Sequence, residues 1–263
     1  MYRAALLSIL SLTLGLSGCA ALPNGKPDKR DRFERFNRSV YKFNTAIDHA
    51  AIRPVARAYV KFLPRQVRNR VSNFTTNLAY PITFVNDILQ GKIADGVTDA
   101  ARIVVNTTLG VGGLFDPASR MGLDRHEEDF GQTLGKWGVH SGPYLMLPLL
   151  GPSDVRDTFG LVPDFVLRYE ITSPLITNNY VSAGLFILGK VDLRSQLLDG
   201  DRILESTYDP YAFVRNAYLQ RREYLIHDGD LPPEELFPDT DMDSGNDNTS
   251  GAQSAPPEQP KKP

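Results

Sequence analysis

Four histidines, one cysteine and two glycine-rich stretches are the places where this chain of 263 residues could do chemistry. His49, His126, His140 and His227 are too scattered to define a metal site by spacing, and His126-Glu127-Glu128 lacks the second histidine of a zinc-protease helix. Ser141 stands in HSGP and not in a G-x-S-x-G nucleophile elbow, so only a spatial Ser-His-Asp arrangement is left open as a route to hydrolysis. Gly184 to Lys190, GLFILGK, has the spacing of a phosphate-binding loop. Val191 follows where a hydroxyl should reach magnesium, and Leu-Phe-Ile-Leu suits a packed helix better than an anion cradle. In LGVGGLFD the sixth position of G-x-G-x-x-G is Phe115. The expectation is a protein that is not an enzyme and holds no nucleotide, metal or other cofactor.

The cysteine is different. MYRAALLSILSLTLGLSGCA has a short n-region with Arg3, an apolar run from Ala4 to Leu16, and small residues after it, which is the pattern of an export signal. Leu16-Ser17-Gly18-Cys19 resembles the bacterial lipobox, in which the signal is cut before the cysteine. The thiol then takes a diacylglycerol through a thioether, and the new amino terminus is acylated. Cys19 is the only cysteine, which rules out a disulfide within the chain. Three acyl chains, at about 0.8 kcal/mol per buried methylene, make an anchor that does not let go. Ala20, in place of Asp, implies sorting to the outer membrane. Residues 1–18 read as signal peptide and 19–30 as a lipidated tether, ALPNGKPDKR included, whose Pro and Gly stop regular structure.

The net charge of -2 conceals an asymmetry. Between Lys26 and Arg70 there are thirteen Lys or Arg against four Asp or Glu, whereas from Asp228 onward nine acidic residues face two basic ones. The basic region is either a solvated helix face or a surface beside anionic groups. Nucleic acid is not expected as the partner, because neither zinc spacing nor an RNA-binding aromatic motif is present and the signal directs export.

The elements that would position these residues are helical. Phe33, Phe36, Val40, Phe43 and Ile47 recur at three- and four-residue steps, giving an apolar stripe that should pack inward. Pro54 should interrupt it, Pro64 open a second helix through Val67, Val71, Phe74 and Leu78, and Pro81 open a third that stops at Gly91. A fourth carries Ile93, Val97, Ala100 and Val104. Later helices are expected from a cap at Ser153 or Asp154 to about Tyr169, over roughly Leu175 to Leu198, and after Asp209, with Tyr211, Val214, Ala217, Tyr218 and Leu225 on an apolar side. Strand alternation is poor throughout. Residues 31–228 therefore read as one helical domain, and 229–263 as an acidic, then Pro/Ser-rich, disordered tail.

GPYLMLPLLGPSDVRD, from Gly142 to Asp157, fits neither a helix interior nor an ordinary surface loop. Several segments, this one among them, resemble the MlaA/VacJ family of outer-membrane lipoproteins: FERFNRSVYKFN, RPVARAY, SNFTTNLAYPITFVNDILQGK, NTTLGVGGLFDPAS, DFGQTLGKWGVHSGPYLMLPLLGPSDVRD, RSQLL and DPYAFVRNAYLQRREYLI. The resemblance implies an all-α, ring-like assembly of amphipathic helices lying in one membrane leaflet, the periplasmic one, with a short non-helical apolar hairpin. It implies a polar passage through which phospholipids mislocalised in the outer leaflet are removed and given to a soluble periplasmic carrier, MlaC, with a trimeric porin as a further partner. A structural or porin-associated envelope lipoprotein without lipid transport is the alternative. On the same basis Phe43, Asn44, Gly142, Pro143, Tyr144, Leu147, Pro148 and Leu150 are candidates for lining or gating the passage, with Tyr144, Leu145, Met146, Leu147, Leu149 and Leu150 able to face acyl chains. The glycines of FGQTLGKWG serve either tight helix packing or the passage. The anchor gives the first prediction: mass spectrometry of the mature protein finds the amino terminus at an acylated Cys19, and Cys19→Ala retains residues 1–18 and takes up no labelled palmitate.

Overall fold

Prolines, glycines and short polar side chains set most of the helix ends. The computed structural model describes residues 28–174 and 178–230. The signal, Cys19 and the acidic tail lie outside the described residues. Helix α1 (Glu34–Ile47) runs through a widened π turn (Asp48–Ile52) into α2 (Arg53–Phe62). Pro54 does not interrupt this run as expected; it falls in the first turn of α2, directly after the widened π turn. Pro64 precedes α3 (Arg65–Gln90), which ends at Gly91 in the left-handed conformation.

Pro81 lies inside α3 and does not open a helix. It forfeits a backbone bond at a cost of about 3 kcal/mol, and the packing of α3 against its neighbours carries the helix through. Helix α4 (Ile93–Thr108) and the single turn α5 (Pro117–Arg120) follow, then α6 (Phe130–Lys136). Strands β1 (Tyr144–Leu147) and β2 (Gly151–Asp154) form an antiparallel hairpin that pairs Tyr144 with Asp154 and Leu147 with Gly151. The last elements are α7 (Val155–Thr172), α8 (Asn179–Gln196), α9 (Asp201–Ser206) and α10 (Pro210–Ile226). Asp116, Asp129, Asp154, Asn178 and Asp209 each accept a backbone N–H at a helix start, so the polar punctuation of the sequence is spent on capping.

The chain is all-α apart from the hairpin, and its elements close into a ring. Helix α2 packs on α8, α8 on α3, α3 on α7, and α7 on β2, while β1 returns to α1. Helix α10 lies against β2 and α6. The glycine-rich segment makes one of these joints: a Cβ on Gly160 of α7 would stand 2.6 Å from the backbone nitrogen of Gly131 on α6. Of the two roles open to it, Gly131 serves tight packing. No helix among the described residues is long and apolar enough to cross a membrane.

The polarity of the ring is inverted relative to a water-soluble bundle. Among the described residues eighteen polar or charged side chains are buried against ten apolar ones, while apolar stripes face outward. On α4, Ile93, Val97 and Val104 are exposed, and Gly96, Asp99, Arg102 and Asn106 are buried. On α7 the outward line is Phe159, Val162, Val166 and Tyr169. This corrects the expected packing of α1, where Phe33, Phe36 and Phe43 are exposed and Asn37 and Val40 turn inward. On α10 the buried face carries Arg215 and Arg222 beside Tyr211 and Ile226.

Arginines tie the inner faces together. Arg38 reaches both oxygens of Asp209 at 3.0 and 2.6 Å, Arg194 both oxygens of Asp48 at 2.8 and 2.9 Å, and Arg222 both oxygens of Asp129 at 2.6 and 2.9 Å. Arg102, fully buried, donates to Tyr80, Ser119, the Leu123 carbonyl and Asp116. Burial raises the Asp116 carboxyl, but bonds from Ser119 and Arg125 outweigh it and hold the group well below the usual carboxylate range. Removing one member of such a pair leaves the other charge buried alone, so Arg102→Met is expected to destabilise the fold by about 3–5 kcal/mol, read as a lowered denaturation midpoint of the detergent-solubilised protein.

Candidate functional site

The hairpin is held to α1 by two asparagines. Asn37 donates to Asp31 at 2.8 Å and to the Tyr144 carbonyl at 3.0 Å, and its own oxygen accepts the Met146 N–H at 2.9 Å. Seven residues later, on the same helix face, Asn44 donates to the Leu147 carbonyl at 2.9 Å and accepts the Leu149 N–H at 2.8 Å. Each amide thus matches one backbone donor and one acceptor, as a neighbouring strand would. On its other edge β1 pairs with β2, and the Tyr144 N–H is satisfied by the Arg30 carbonyl at 2.8 Å.

The tip of the hairpin carries strain. Leu149 has a φ of 63°, a left-handed conformation unfavourable for a side chain with a Cβ, and the bond to Asn44 holds it there. Pro148, Leu149 and Leu150 are exposed at this tip. Gly142, φ 70°, makes the turn into the strand, and Pro143 accepts the Val155 N–H at 3.2 Å. The base is packed. Tyr144 and Met146 are buried, and Tyr144 stands edge-on to Tyr211 and Tyr218. Tyr211 in turn bonds Asp31, which Arg215 neutralises at 3.1 Å.

The candidate residues from the sequence therefore divide. Asn44 and Leu147 meet directly, and Pro148 and Leu150 lie at the exposed tip beside them. Phe43 is half exposed on α1. Tyr144 and Met146 are interior residues and do not face acyl chains, because alternation along β1 sends them inward while Leu145 and Leu147 stay partly exposed. Sequence reasoning passed over Asn37, although a second asparagine at heptad distance in a helix was the available signal.

It also passed over the wall formed by α2, α3 and α8. An apolar groove of about 400 Å³ runs between α2 and α8, lined by Val55, Ala58, Tyr59, Phe62, Leu63, Gly184, Ile187, Leu188 and Val191. A polar cavity of about 250 Å³ is lined by Arg68, Asn69, Ser72, Asp192, Ser195 and Gln196. The two adjoin at one hydrogen bond, from the Tyr59 hydroxyl in the groove to Asp192 in the cavity at 2.9 Å. The Arg68 Nε is buried without a partner. The chain thus offers a cation, hydroxyls, amides and a carboxylate beside a surface suited to hydrocarbon. GLFILGK, the segment with phosphate-loop spacing, is part of α8, where its backbone N–H groups serve the helix and Gly184, Ile187 and Leu188 line the groove.

The strap generates a prediction. Asn44→Ala removes one bond to each side of the hairpin tip while leaving the Asn37 bonds in place. Hydrogen exchange at the Leu149 amide is expected to accelerate by roughly tenfold, the equivalent of about 1–1.5 kcal/mol, with the Met146 amide still protected. Equal exchange at Leu149 in both proteins would show that the tip does not depend on Asn44.

Comparison with known proteins bears on what this arrangement does. Residues 29–225 match the family model described as MlaA lipoprotein. The chain is 39% identical over 238 residues to the intermembrane phospholipid transport system lipoprotein MlaA of Escherichia coli, covering 87% of this chain and 92% of that protein. It is 30% identical to the protein of the same description from Haemophilus influenzae, covering 89% and 95%. Among solved structures, one described as the structural basis for maintenance of bacterial outer membrane lipid asymmetry superposes with a TM-score of 0.67 at 40% identity, covering 74% of this chain and 98% of the other.

Proposed function

The chain belongs to the MlaA lipoprotein family, and from that premise we propose that it is the outer-membrane lipoprotein of an intermembrane phospholipid transport system, which removes mislocalised phospholipids from the outer leaflet and so maintains lipid asymmetry. The observation that carries this reading is the polar cavity joined to an apolar groove in the wall of a ring whose outside is apolar.

The physical problem is the headgroup. A phospholipid crosses between leaflets slowly because its charged head must leave water and traverse hydrocarbon, whereas its acyl chains lose nothing by the move. A protein that supplies polar partners for the head and leaves the chains in apolar surroundings removes that barrier. Arg68, with its buried Nε unpartnered, is the group to take the phosphate, and Ser72, Ser195 and Asn69 add polar groups around it. The groove between α2 and α8 takes an acyl chain. No bond is made or broken, so the work is done by differential solvation and needs neither nucleotide nor nucleophile at this component. The outward stripes on α1, α4 and α7 seat the ring in one leaflet, the periplasmic one, to which Cys19 tethers it through diacylglycerol and an N-acyl chain. By family resemblance the proposed partners are a trimeric porin, which would fix the ring in the membrane, and the periplasmic carrier MlaC, which would receive the lipid.

The hairpin is the proposed gating element, since its tip of Pro148, Leu149 and Leu150 is exposed while Asn37 and Asn44 pin its strand to α1. The test is phospholipid exposed on the surface of cells lacking this protein. Deletion should raise it, wild type should restore asymmetry, and Arg68→Glu, which presents a carboxylate to the phosphate, should fail to restore it while keeping wild-type abundance and helical content. Full rescue by Arg68→Glu would remove the headgroup role of that arginine. No rise on deletion would favour an envelope lipoprotein without lipid transport.

A further inference from the structure

Away from the groove and the hairpin, two buried carboxylates lie together with no lysine or arginine bonded to either. Helix α3 ends at Gly91 and the chain reverses directly into α4, so the last turns of α3 face the first turns of α4. The two helices approach closely at Gly96, where a Cβ would stand 2.8 Å from the Ile88 side chain. Asp99, three residues further along the same face of α4, is thereby brought to Asp87 on α3. The connection between α5 and α6 adds His126, whose Nδ1 lies 3.1 Å from Asp99 Oδ1. One carboxylate oxygen of Asp87, one of Asp99 and a ring nitrogen of His126 all lie within 4.8 Å of one another.

Asp87 is fully buried, and neither of its oxygens has a hydrogen-bond donor; the second oxygen of Asp99, equally buried, has none either. Other buried carboxylates of the ring are provided for. Asp31 has Asn37 and Arg215, Asp192 has Tyr59 and Gln196, and Asp154 has the Asp157 N–H. The cations nearest the cluster are already engaged, Arg102 on Asp116 and Lys92 on Glu128 and Asp228. Glu128 and Asp95 add negative charge around it. With no donor on Asp87 and only the His126 ring nitrogen on Asp99, two carboxylates desolvated side by side leave a cost of several kcal/mol uncompensated, which a cation between them would cancel.

We propose that Asp87, Asp99 and His126 bind one divalent first-row metal ion, zinc or manganese in type, which clamps the α3–α4 reversal to the connection between α5 and α6. One imidazole and two carboxylates form a donor set for such ions, whereas calcium takes oxygen ligands and magnesium keeps most of its waters. The site departs from the sequence expectation that no metal is bound, since its three ligands are spread over residues 87–126 and only the fold assembles them. Its role is structural and independent of the lipid seat. The competing occupant is a proton. Burial and the adjacent Asp99 push the Asp87 carboxyl up, and burial pushes Asp99 up, which favours a proton shared by the pair when no metal ion is bound.

The experiment uses full-length lipidated protein in detergent, stripped of metal and titrated separately with zinc, manganese, magnesium and calcium chlorides. Bound metal is counted by mass spectrometry of the elements, and melting is followed by circular dichroism. One equivalent of zinc or manganese is expected, with a raised melting temperature that a chelator reverses. His126→Ala, in which a half-buried side chain is lost, and Asp99→Asn should each weaken binding by at least about tenfold, and His140→Ala should leave it unchanged. The proposal falls if wild type takes up none of the four ions in molar excess and its melting is indifferent to them, which would leave the proton as occupant. It falls equally if stoichiometric binding survives in both ligand variants.

Discussion

The structure depends on paired charge facing inward while hydrocarbon side chains face outward. In water the hydrophobic effect would reverse this arrangement, since exposed stripes on α1, α4 and α7 would seek burial. With lipid as the outer solvent the apolar stripes cost nothing, and the inner faces must then satisfy every polar group themselves. The bidentate pairs Arg38–Asp209, Arg194–Asp48 and Arg222–Asp129 do this while joining elements far apart in sequence. Buried ion pairs contribute little net stability relative to apolar packing, but they tolerate few alternative registers, because any shift strands a charge. A ring of short helices without a large apolar core needs that kind of specification.

The same rule explains the strap. A lone two-stranded hairpin is marginal in water and would expose a sheet edge to lipid. Asn37 and Asn44 present their amides at the spacing of a neighbouring strand and close the edge of β1 with side chains. The base, with Tyr144 and Met146 buried, is fixed by packing, whereas the tip, with Leu149 in a left-handed conformation, is fixed by one amide. A second economy appears in the wall of α2, α3 and α8, where the Tyr59–Asp192 bond marks the boundary between apolar and polar lining. A two-part surface of this kind suits an amphiphile, and it asks for no catalytic group.

Close approach of backbones supplies the remaining constraint. Gly131 and Gly160 let α6 and α7 touch, and Gly131 also leaves room for Asp157 and Arg222 to pass over it. Gly96 allows α4 to lie against α3. Larger residues at these points would move the inner faces apart by more than a hydrogen bond tolerates.

Helix existence, most helix ends, and the non-helical path of the segment beginning at Gly142 were legible in the amino-acid sequence, because propensity, capping and proline geometry act locally. Asp154 and Asp209 announce their helices in this way, and Gly91 announces the end of α3. Periodicity likewise located the apolar stripe through Phe36, Val40 and Phe43, but it is blind to which solvent the stripe meets. That is why the stripe was expected inside, and why Arg215 and Arg222 were not named among the inner residues of α10. Pro81 was misread for a related reason: a local rule predicted a helix start, and packing on both sides carried α3 through it. The groove, the cavity with Arg68, the pairing of Asn37 with β1, and the meeting of Asp87, Asp99 and His126 join residues separated by dozens of positions. No sequence period links such residues, so only ring closure could decide which of them share a space.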